Sequence, residues 1–469
     1  MVTWRNQSPG DLSVELPEVH ATPVEPAVER TVAAAGDWAA TPIDRRIEHL
    51  RACRAALESA KAELAMAIAA EVGKPLKECV GELGAVIAKF DLTFADADRW
   101  LRDEPVTDGP HPAMVRHRPR GPAAIIGPFN FPIHLPHGQI VPHLLAGNTV
   151  LFKPSPVAAN VCARYAALMA ENLPPGVFGL VQGGADEGRA MCVHPAVRSI
   201  GFTGSVPAGK AIARAIAGDL SKDAALELGG KCAAIVCEDA DLDRAAAMCA
   251  EAACLTAGQR CNATSRIIVD AKVQSAFLEK LLPALHAFTP GDPTKETTRL
   301  GPLVTAASLR RYQQLIDTDH AGGYWLKRGH VPASVEGKVG HYVEPAAILF
   351  EGRDAAQSAR ELTCDEAFAP ILSIIAIAGG AQALVEMHNS TPFGLTASVF
   401  TRSKPGFEQF ADRLNVGNVY ANLPTTFSPS TLPFGGWGDS GNGRPGGRGF
   451  LRFASAEQAV QWSNDGFAG

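Results

Sequence analysis

The feature that most constrains this chain is an alternation. Between residues 123 and 217, four short apolar runs, Ala123 to Ile126, Thr149 to Phe152, Val177 to Val181 and Ser199 to Phe202, alternate with segments of helical character at 138–146, 157–172 and 207–217. Runs this short and this uniformly apolar are strands buried on both faces. Strands separated by helices form a parallel sheet covered by those helices. In such sheets ligands bind beyond the carboxyl ends of the strands, so the loops that follow these runs are where function is sought. A second α/β region spans about 229 to 440. It opens with the apolar run Ala233 to Val236, and a helix is predicted from Asp241 to about Ala257, stopped by Gly258.

At 469 residues the chain exceeds one ordinary core, and two or three domains are expected. The first 40 residues are rich in proline and charge and read as a lead-in segment. A helix is predicted after them, with Thr41 as cap, Pro42 at the first helical position and Gly73 with Pro75 ending it. Ile47, Leu50, Leu57, Leu64 and Ile68 would form its buried face. A net charge of −6 and the absence of a basic run argue against nucleic acid as a partner. No apolar run reaches membrane-spanning length. The ten cysteines form no C-x-x-C pair, so neither zinc nor a redox dithiol is indicated. With no secretory h-region, a reducing cytoplasm is expected.

Five segments carry chemistry. Gly127-Pro128-Phe129-Asn130-Phe131-Pro132 follows a strand, and Asn130 has the amide of an oxyanion donor. Phe152-Lys153-Pro154-Ser155-Pro156 places Lys153 within reach of a ribose hydroxyl or phosphate. Gly201-Phe202-Thr203-Gly204-Ser205 leads through Gly209 into a helix whose first N–H groups suit a pyrophosphate. Gly204 to Lys210 fits the start of a Walker A loop, but Ala211 stands where Mg²⁺ coordination needs Ser or Thr. Leu226-Glu227-Leu228-Gly229-Gly230-Lys231 sets a carboxylate between leucines, where partial burial would raise its pKa toward that of a general base. Gly258-Gln259-Arg260-Cys261-Asn262 holds the one cysteine set in a loop rather than an apolar run, and Arg260 beside it would favour the nucleophilic thiolate. Two further patterns are set aside. Gly436 to Gly441 matches G-x-G-x-x-G, but too little chain follows for a βαβ unit. His134, His137 and His143 lie around Pro136 and Pro142 with no regular helix to align them and no accompanying carboxylate, so they read as loop or substrate-pocket residues rather than metal ligands.

In order along the chain, these segments, with Glu-Ala-Phe-Ala-Pro at 366–370 and Pro-Phe-Gly-Gly at 433–436, resemble the aldehyde dehydrogenase superfamily, from about residue 25 onward. The resemblance implies an α/β fold with a Rossmann-like cofactor domain (1–106 and 122–228), an α/β catalytic domain (229–442) and a small β oligomerisation element (107–121 and 443–469). It implies NAD or NADP as cofactor. Cys261 would be the nucleophile, Asn130 with the Cys261 N–H the oxyanion site and Glu227 the base that activates water. Lys153 would contact the adenosine ribose and Ser205, with Gly204 and Gly209, the pyrophosphate. Leu228, Glu366 and Phe368 would lie at the nicotinamide end. It also implies a homodimer or homotetramer. Within the superfamily, Arg116 to Pro122 and Asn130 to Gly138 are most similar to succinylglutamate semialdehyde dehydrogenase of arginine catabolism, whose substrate is an anionic semialdehyde; His134, His137 and Arg260 are candidates to meet its carboxylates.

The chain departs from the pattern at Pro156, where many members carry a ribose-gripping Glu, so NADP should be tolerated and NAD affinity modest. Ala369 replaces a glycine, Trp437 and Asp439 replace the usual tail motif, and the first N-terminal strands are expected to be missing or abbreviated. Three alternatives stay open: an aldehyde dehydrogenase for aliphatic or aromatic aldehydes, an acylating relative that passes its thioester to CoA or phosphate, and a non-catalytic scaffold.

Overall fold

The computed structural model describes residues 2–463. Met1 and the last part of the expected oligomerisation element, 464–469, lie outside the described residues. The N-terminal stretch is more than a lead-in. It carries four short strands, β1 (Thr3–Trp4), β2 (Gln7–Ser8), β3 (Asp11–Glu15) and β4 (Val19–His20), and then a helix, α1 (Val24–Ala40). Its proline and charge content misled because Pro23 sits just outside α1 and the charges cover its exposed face. The single helix expected from Thr41 to Gly73 is two, α2 (Ile43–Ser59) and α3 (Lys61–Val72), broken at Ala60. Thr41 caps neither; its hydroxyl donates to the Asp37 carbonyl at the end of α1. Leu50, Leu57, Leu64 and Ile68 are nonetheless fully buried, because both helices turn one apolar face to the same core. Gly73 ends α3 at φ 75°, a left-handed position that suits glycine. After Lys74 and Pro75 comes α4 (Leu76–Trp100).

Strands β5 (Glu104–Val106) and β6 (Ala113–Pro119) then form a three-stranded antiparallel sheet with Ser455–Gln461, in the order 455–461, β6, β5. The chain next builds a six-stranded sheet from β7 (Ala123–Ile126), β8 (Val150–Lys153), β9 (Phe178–Leu180), β10 (Ser199–Thr203) and β11 (Asp223–Glu227), in the order β11, β10, β7, β8, β9. Gly441–Asn442 adds an antiparallel edge beside β11. The other pairings are parallel, as the alternation requires. The crossover helices are α5 (His134–Leu145), α6 (Ala159–Ala170), α7 (Ala185–Val193) and α8 (Val206–Ile216). Strand order reverses between β7 and β10, the place where a parallel sheet opens a crevice at its carboxyl edge.

Helix α5 corrects one expectation. His134, His137 and His143 do lie on a regular helix, which accommodates Pro136 in its first turn and Pro142 near its end. A second sheet runs Gly323–Lys327, Ala346–Glu351, Ile371–Ile377, Arg266–Asp270, Ala233–Val236, Thr396–Phe400, Asn418–Ala421, all parallel but its first edge. Its strands and α9 (Leu242–Cys254) form the largest apolar core.

Candidate active site

The carboxyl ends of β7, β8, β10 and β11 open on one cavity of about 1030 Å³ that reaches the loop after α9. Asn130, Lys153, Gly204, Ser205, Glu227, Leu228, Cys261, Glu366 and Phe368 all line it. Of the residues singled out from the sequence, Gly209 is not on the wall. It is buried in α8, and a Cβ there would stand 2.4 Å from Cδ2 of Leu228, so its hydrogen is what lets α8 close on the end of β11. Ser205 caps α8, its Oγ accepting from the Ala208 N–H at 3.4 Å.

The loop that presents Cys261 is made by close approach. After α9 the chain turns through Thr256 and Ala257, both at φ 53°, and Gly258 at φ 70°. Two non-glycine residues in the left-handed region carry backbone strain that the surroundings must hold. Gly258 has no alternative, since a Cβ would lie 2.5 Å from the Ala369 carbonyl carbon. Gly230 faces the same loop from the other side, where a Cβ would fall 2.1 Å from the Cys261 carbonyl oxygen. The two-glycine turn after Glu227 thus allows the segment that bears Glu227 to touch the Cys261 loop.

The other nine cysteines are buried, whereas Cys261 is partly exposed to the cavity. Arg260 does not activate it. Its guanidinium donates to Glu78 Oε2 at 2.6 Å, and through Nε to Thr256 Oγ1 at 3.0 Å, and lies over the Phe131 ring at 4.9 Å. Burial instead raises the Cys261 thiol well above its ordinary value, reinforced by the facing Glu227 carboxylate. Glu227 is 2% exposed. Burial pushes its pKa up to about 8, against the lowering effect of the Cys261 thiol and with a further raise from Glu366. Its Oε1 has no hydrogen-bond partner among the described residues. A neutral thiol facing a carboxyl group that titrates near neutrality is a pair able to pass one proton, which a nucleophile and its base require.

Asn130 is 4% exposed and held on three sides. Its Nδ2 donates to the Gln259 carbonyl at 2.8 Å, its Oδ1 accepts from the Phe131 N–H at 3.1 Å and its carbonyl accepts from Lys74 Nζ at 3.1 Å. One amide hydrogen is left for the cavity. Lys74 is itself in a fully buried ion pair with Glu82 at 2.8 Å, and Glu82 Oε1 accepts from the N–H groups of Ile133 and His134. Lys74 and Glu82 were not singled out from the sequence. The only trace is a lysine wedged between Gly73 and Pro75, which reads as a helix stop. Gln259 is the other silent member. Its Oε1 accepts from the Val304 N–H and its Nε2 donates to the Thr256 and Pro302 carbonyls, tying the Cys261 loop to the segment at 302–304.

Glu366 Oε1 accepts from the Gly230 N–H at 2.9 Å. Burial raises its pKa to about 7, opposed by that N–H and by Lys231. Phe368, at φ 51°, stands edge-on to Phe129 with ring centroids 5.9 Å apart. Lys153 is 4% exposed, donates among the described residues only to the Pro154 carbonyl, and is drawn down to about 8 by burial. The three histidines of α5 are not anion receptors. His137 and His143 are fully buried and bonded to Tyr165 and Ser199. Desolvation lowers the pKa of all three, so they are neutral at neutral pH. Arg260, already paired with Glu78, is not a free cation either. Among the described residues no group of His, Cys, Asp or Glu could hold a metal, and no helix is long and apolar enough to cross a membrane.

The profile of the "Aldehyde dehydrogenase family" matches residues 2–460. The chain is similar to N-succinylglutamate 5-semialdehyde dehydrogenase 1 of Caulobacter vibrioides, 36% identical over 91% of this chain and 88% of that protein. It is also similar to N-succinylglutamate 5-semialdehyde dehydrogenase of Escherichia coli O9:H4, 34% identical over 94% and 88%. Among solved structures, gamma-glutamyl-gamma-aminobutyraldehyde dehydrogenase of Burkholderia cenocepacia J2315 superposes with a TM-score of 0.92 at 30% identity, covering 98% of this chain and 93% of that one.

Proposed function

Because the chain belongs to the aldehyde dehydrogenase family, an NAD(P)-dependent group of oxidoreductases, we propose that it oxidises N-succinylglutamate 5-semialdehyde, or a closely similar anionic semialdehyde, to the carboxylic acid, with Cys261, Glu227 and Asn130 as its catalytic residues. The observation that carries the residue assignment is the confrontation of the Cys261 thiol with the buried Glu227 carboxylate at the end of the cavity. The substrate assignment is supported by the relatives of that name over nine-tenths of the chain.

Each residue has a definable task. Glu227 takes the proton of the Cys261 thiol, and Sγ forms its bond to the aldehyde carbon while the carbonyl electrons move onto oxygen. The free hydrogen of the Asn130 amide and the Cys261 N–H stabilise that oxygen. A bound nicotinamide supplies the hydride acceptor. Once the carbon is held as a thioester, the proton that Glu227 took from the thiol passes to solvent; Glu227 then removes a proton from water, the water oxygen attacks the carbonyl carbon, and the C–S bond breaks to release the acid, Sγ regaining a proton from Glu227. The cavity suits a dinucleotide: the start of α8, Gly204 and Ser205 offer N–H groups and a hydroxyl to a pyrophosphate, Lys153 lies beside Ser155 for the adenosine ribose, and Glu366 and Phe368 stand nearer Cys261 for the nicotinamide ribose and ring. Glu227 also favours hydrolysis over transfer to CoA, since a base for water has no use in the latter. Homodimer or homotetramer formation through the edge strand 455–461, and a cytoplasmic location in keeping with ten free cysteines, belong to the same reading.

The test is product analysis with both cofactors across succinylglutamate semialdehyde and a panel of aliphatic and aromatic aldehydes. The expected result is acid formed without CoA or phosphate, at a kcat/KM highest for the anionic semialdehyde. A far higher kcat/KM for an uncharged aldehyde refutes the substrate assignment.

A further inference from the structure

Cys232 is a thiol that the proposed chemistry leaves without a task, and it stands against Cys261. It is the residue before the strand Ala233–Val236 and is 2% exposed. The segment that begins at Cys261 is fastened to it at both ends. The Cys232 carbonyl accepts from the N–H groups of Ser265 and Arg266, each at 3.2 Å. The Cys232 Sγ donates to the Cys261 carbonyl at 3.3 Å. Gly230 permits this approach, since a Cβ there would stand 3.1 Å from Cys232 Sγ and 2.1 Å from the Cys261 oxygen. The Cys261 side chain packs against the small apolar cluster of Cys232, Leu395 and Phe434.

Cys261 thus has two neighbours able to act on its sulfur, the Glu227 carboxylate and a second thiol. Among the described residues none of the other cysteines bonds to Cys261 or joins its cluster. They lie in separate cores, as Cys249 and Cys254 do, or bond elsewhere, as Cys364 does to the Ser390 carbonyl. Access differs as well. Cys261 lines the cavity, whereas Cys232 is buried behind it. A small reagent entering the cavity meets Cys261 first, and Cys232 meets only what Cys261 has become.

We propose that Cys232 is a resolving thiol, which closes a reversible disulfide with Cys261 when a hydroperoxide has oxidised it; this rests on the reading of Cys261 as the nucleophile. Glu227 takes the Cys261 proton and Sγ attacks one oxygen of hydrogen peroxide. The O–O bond breaks, the departing hydroxide takes the proton from Glu227 and leaves as water, and Cys261 is left as the sulfenic acid, oxidised by two electrons. Cys232 Sγ then attacks that sulfur. The S–O bond breaks, the hydroxyl leaves with the Cys232 proton as a second water, and the S–S bond closes. The sulfurs of a disulfide lie about 2 Å apart, so Cys232 Sγ has to turn from the carbonyl oxygen of Cys261 to the sulfur of the same residue. Without a resolving thiol, more peroxide carries the sulfenic acid to sulfinic acid, which thiols do not reverse. A dithiol reopens the disulfide by exchange.

The reduced full chain is exposed to a small excess of hydrogen peroxide, trapped with N-ethylmaleimide, and digested at acid pH without reductant for mass spectrometry. A peptide pair joined through Cys232 and Cys261 is expected, two hydrogens lighter than the separate peptides. Dithiothreitol should then restore most of the lost turnover. In Cys232→Ser, whose hydroxyl can still donate to the Cys261 carbonyl, the fraction restored should fall by about fivefold or more, with Cys261 found as sulfinic acid. The cross-link is read in the unaltered chain, so the test survives a variant that fails to fold. Cys261 recovered as sulfinic acid beside a free Cys232 thiol overturns the inference. So does a disulfide from Cys261 to another cysteine or to a second chain, and so does equal restoration in Cys232→Ser. If the Cys232–Cys261 cross-link forms while turnover continues, the inference stands and the reading of Cys261 as nucleophile fails. If the chain turns over aldehyde but peroxide never joins the two cysteines, this inference alone fails.

Discussion

At the scale of single residues, the function proposed above works through a shared proton rather than a preformed thiolate. Burial and the facing carboxylate keep the Cys261 thiol neutral, and Glu227, raised to about 8, is the group that can receive its proton. Cys261→Ala should abolish turnover and leave cofactor binding by fluorescence quenching intact. Glu227→Gln should lower steady-state turnover by about 10²–10⁴-fold, and in rapid mixing any reduced cofactor that still forms should stop at one equivalent per site. Continued linear turnover at an unaltered rate would remove Glu227 from hydrolysis. The pH dependence follows from the same shift. Below about 8 Glu227 holds its proton and cannot take one from water, so turnover should fall as pH drops through that value and level off above it. Stability runs the other way. The folded pKa lies above the model-peptide value of 4.5, so the contribution of Glu227 is full below about 4.5 and is lost as pH rises through 8. Urea midpoints of Glu227→Gln against pH should be flatter across that window. Asn130→Ala should cost about 10²–10³-fold in kcat, as for loss of one oxyanion donor. Of these residues, Cys261 is distinguishable in the sequence by its loop, but Arg260 beside it is paired with Glu78 and does not favour the thiolate. Glu78 lies 182 positions before Arg260, and no local pattern reveals that the guanidinium is already taken.

At the scale of elements, the loop that carries Asn130 depends on the buried pair between Lys74, in the α3–α4 connection, and Glu82 on α4. Removing one partner of such a pair leaves a charge uncompensated, at a cost of about 3–5 kcal/mol. Lys74→Met should therefore lower the urea midpoint and kcat together, and Lys74→Met/Glu82→Gln should regain much of the stability, because Gln can still accept from Ile133 and His134. A single variant as stable as the unaltered chain would show that the pair bears no such load. Strands were the most legible elements. Ala123–Ile126 and Ala233–Val236 have the bounds that their apolar runs suggest, because a strand buried on both faces is mostly apolar. Helix starts were less so. Pro136 hid the first turn of α5, although a proline in the first turn lacks only an N–H that would have had no helical partner. The break at Ala60 left no signal, since the apolar stripe runs on through it.

At the scale of the whole molecule, the parallel sheet begun at 123 and the importance of the loops at its carboxyl edge were legible from the alternation, while the strand order was not, and the grouping of 455–461 with β6, more than 300 residues away, came only with the family resemblance. Strand 455–461 leaves one edge of its sheet without a partner among the described residues, and an open edge favours association. Light scattering should give a dimer or tetramer, and a chain ended after Ser455 should shift toward monomer; a monomer from the complete chain would refute the assembly proposed above. The distribution of the ten thiols has a practical consequence. Nine are buried and Cys261 alone is partly exposed, so under the proposed function the folded protein is its own counter of competent sites. A small alkylating reagent should consume one equivalent per chain, faster as pH rises and slower with a dinucleotide bound, and the shortfall from one measures the fraction of a preparation that has lost its function.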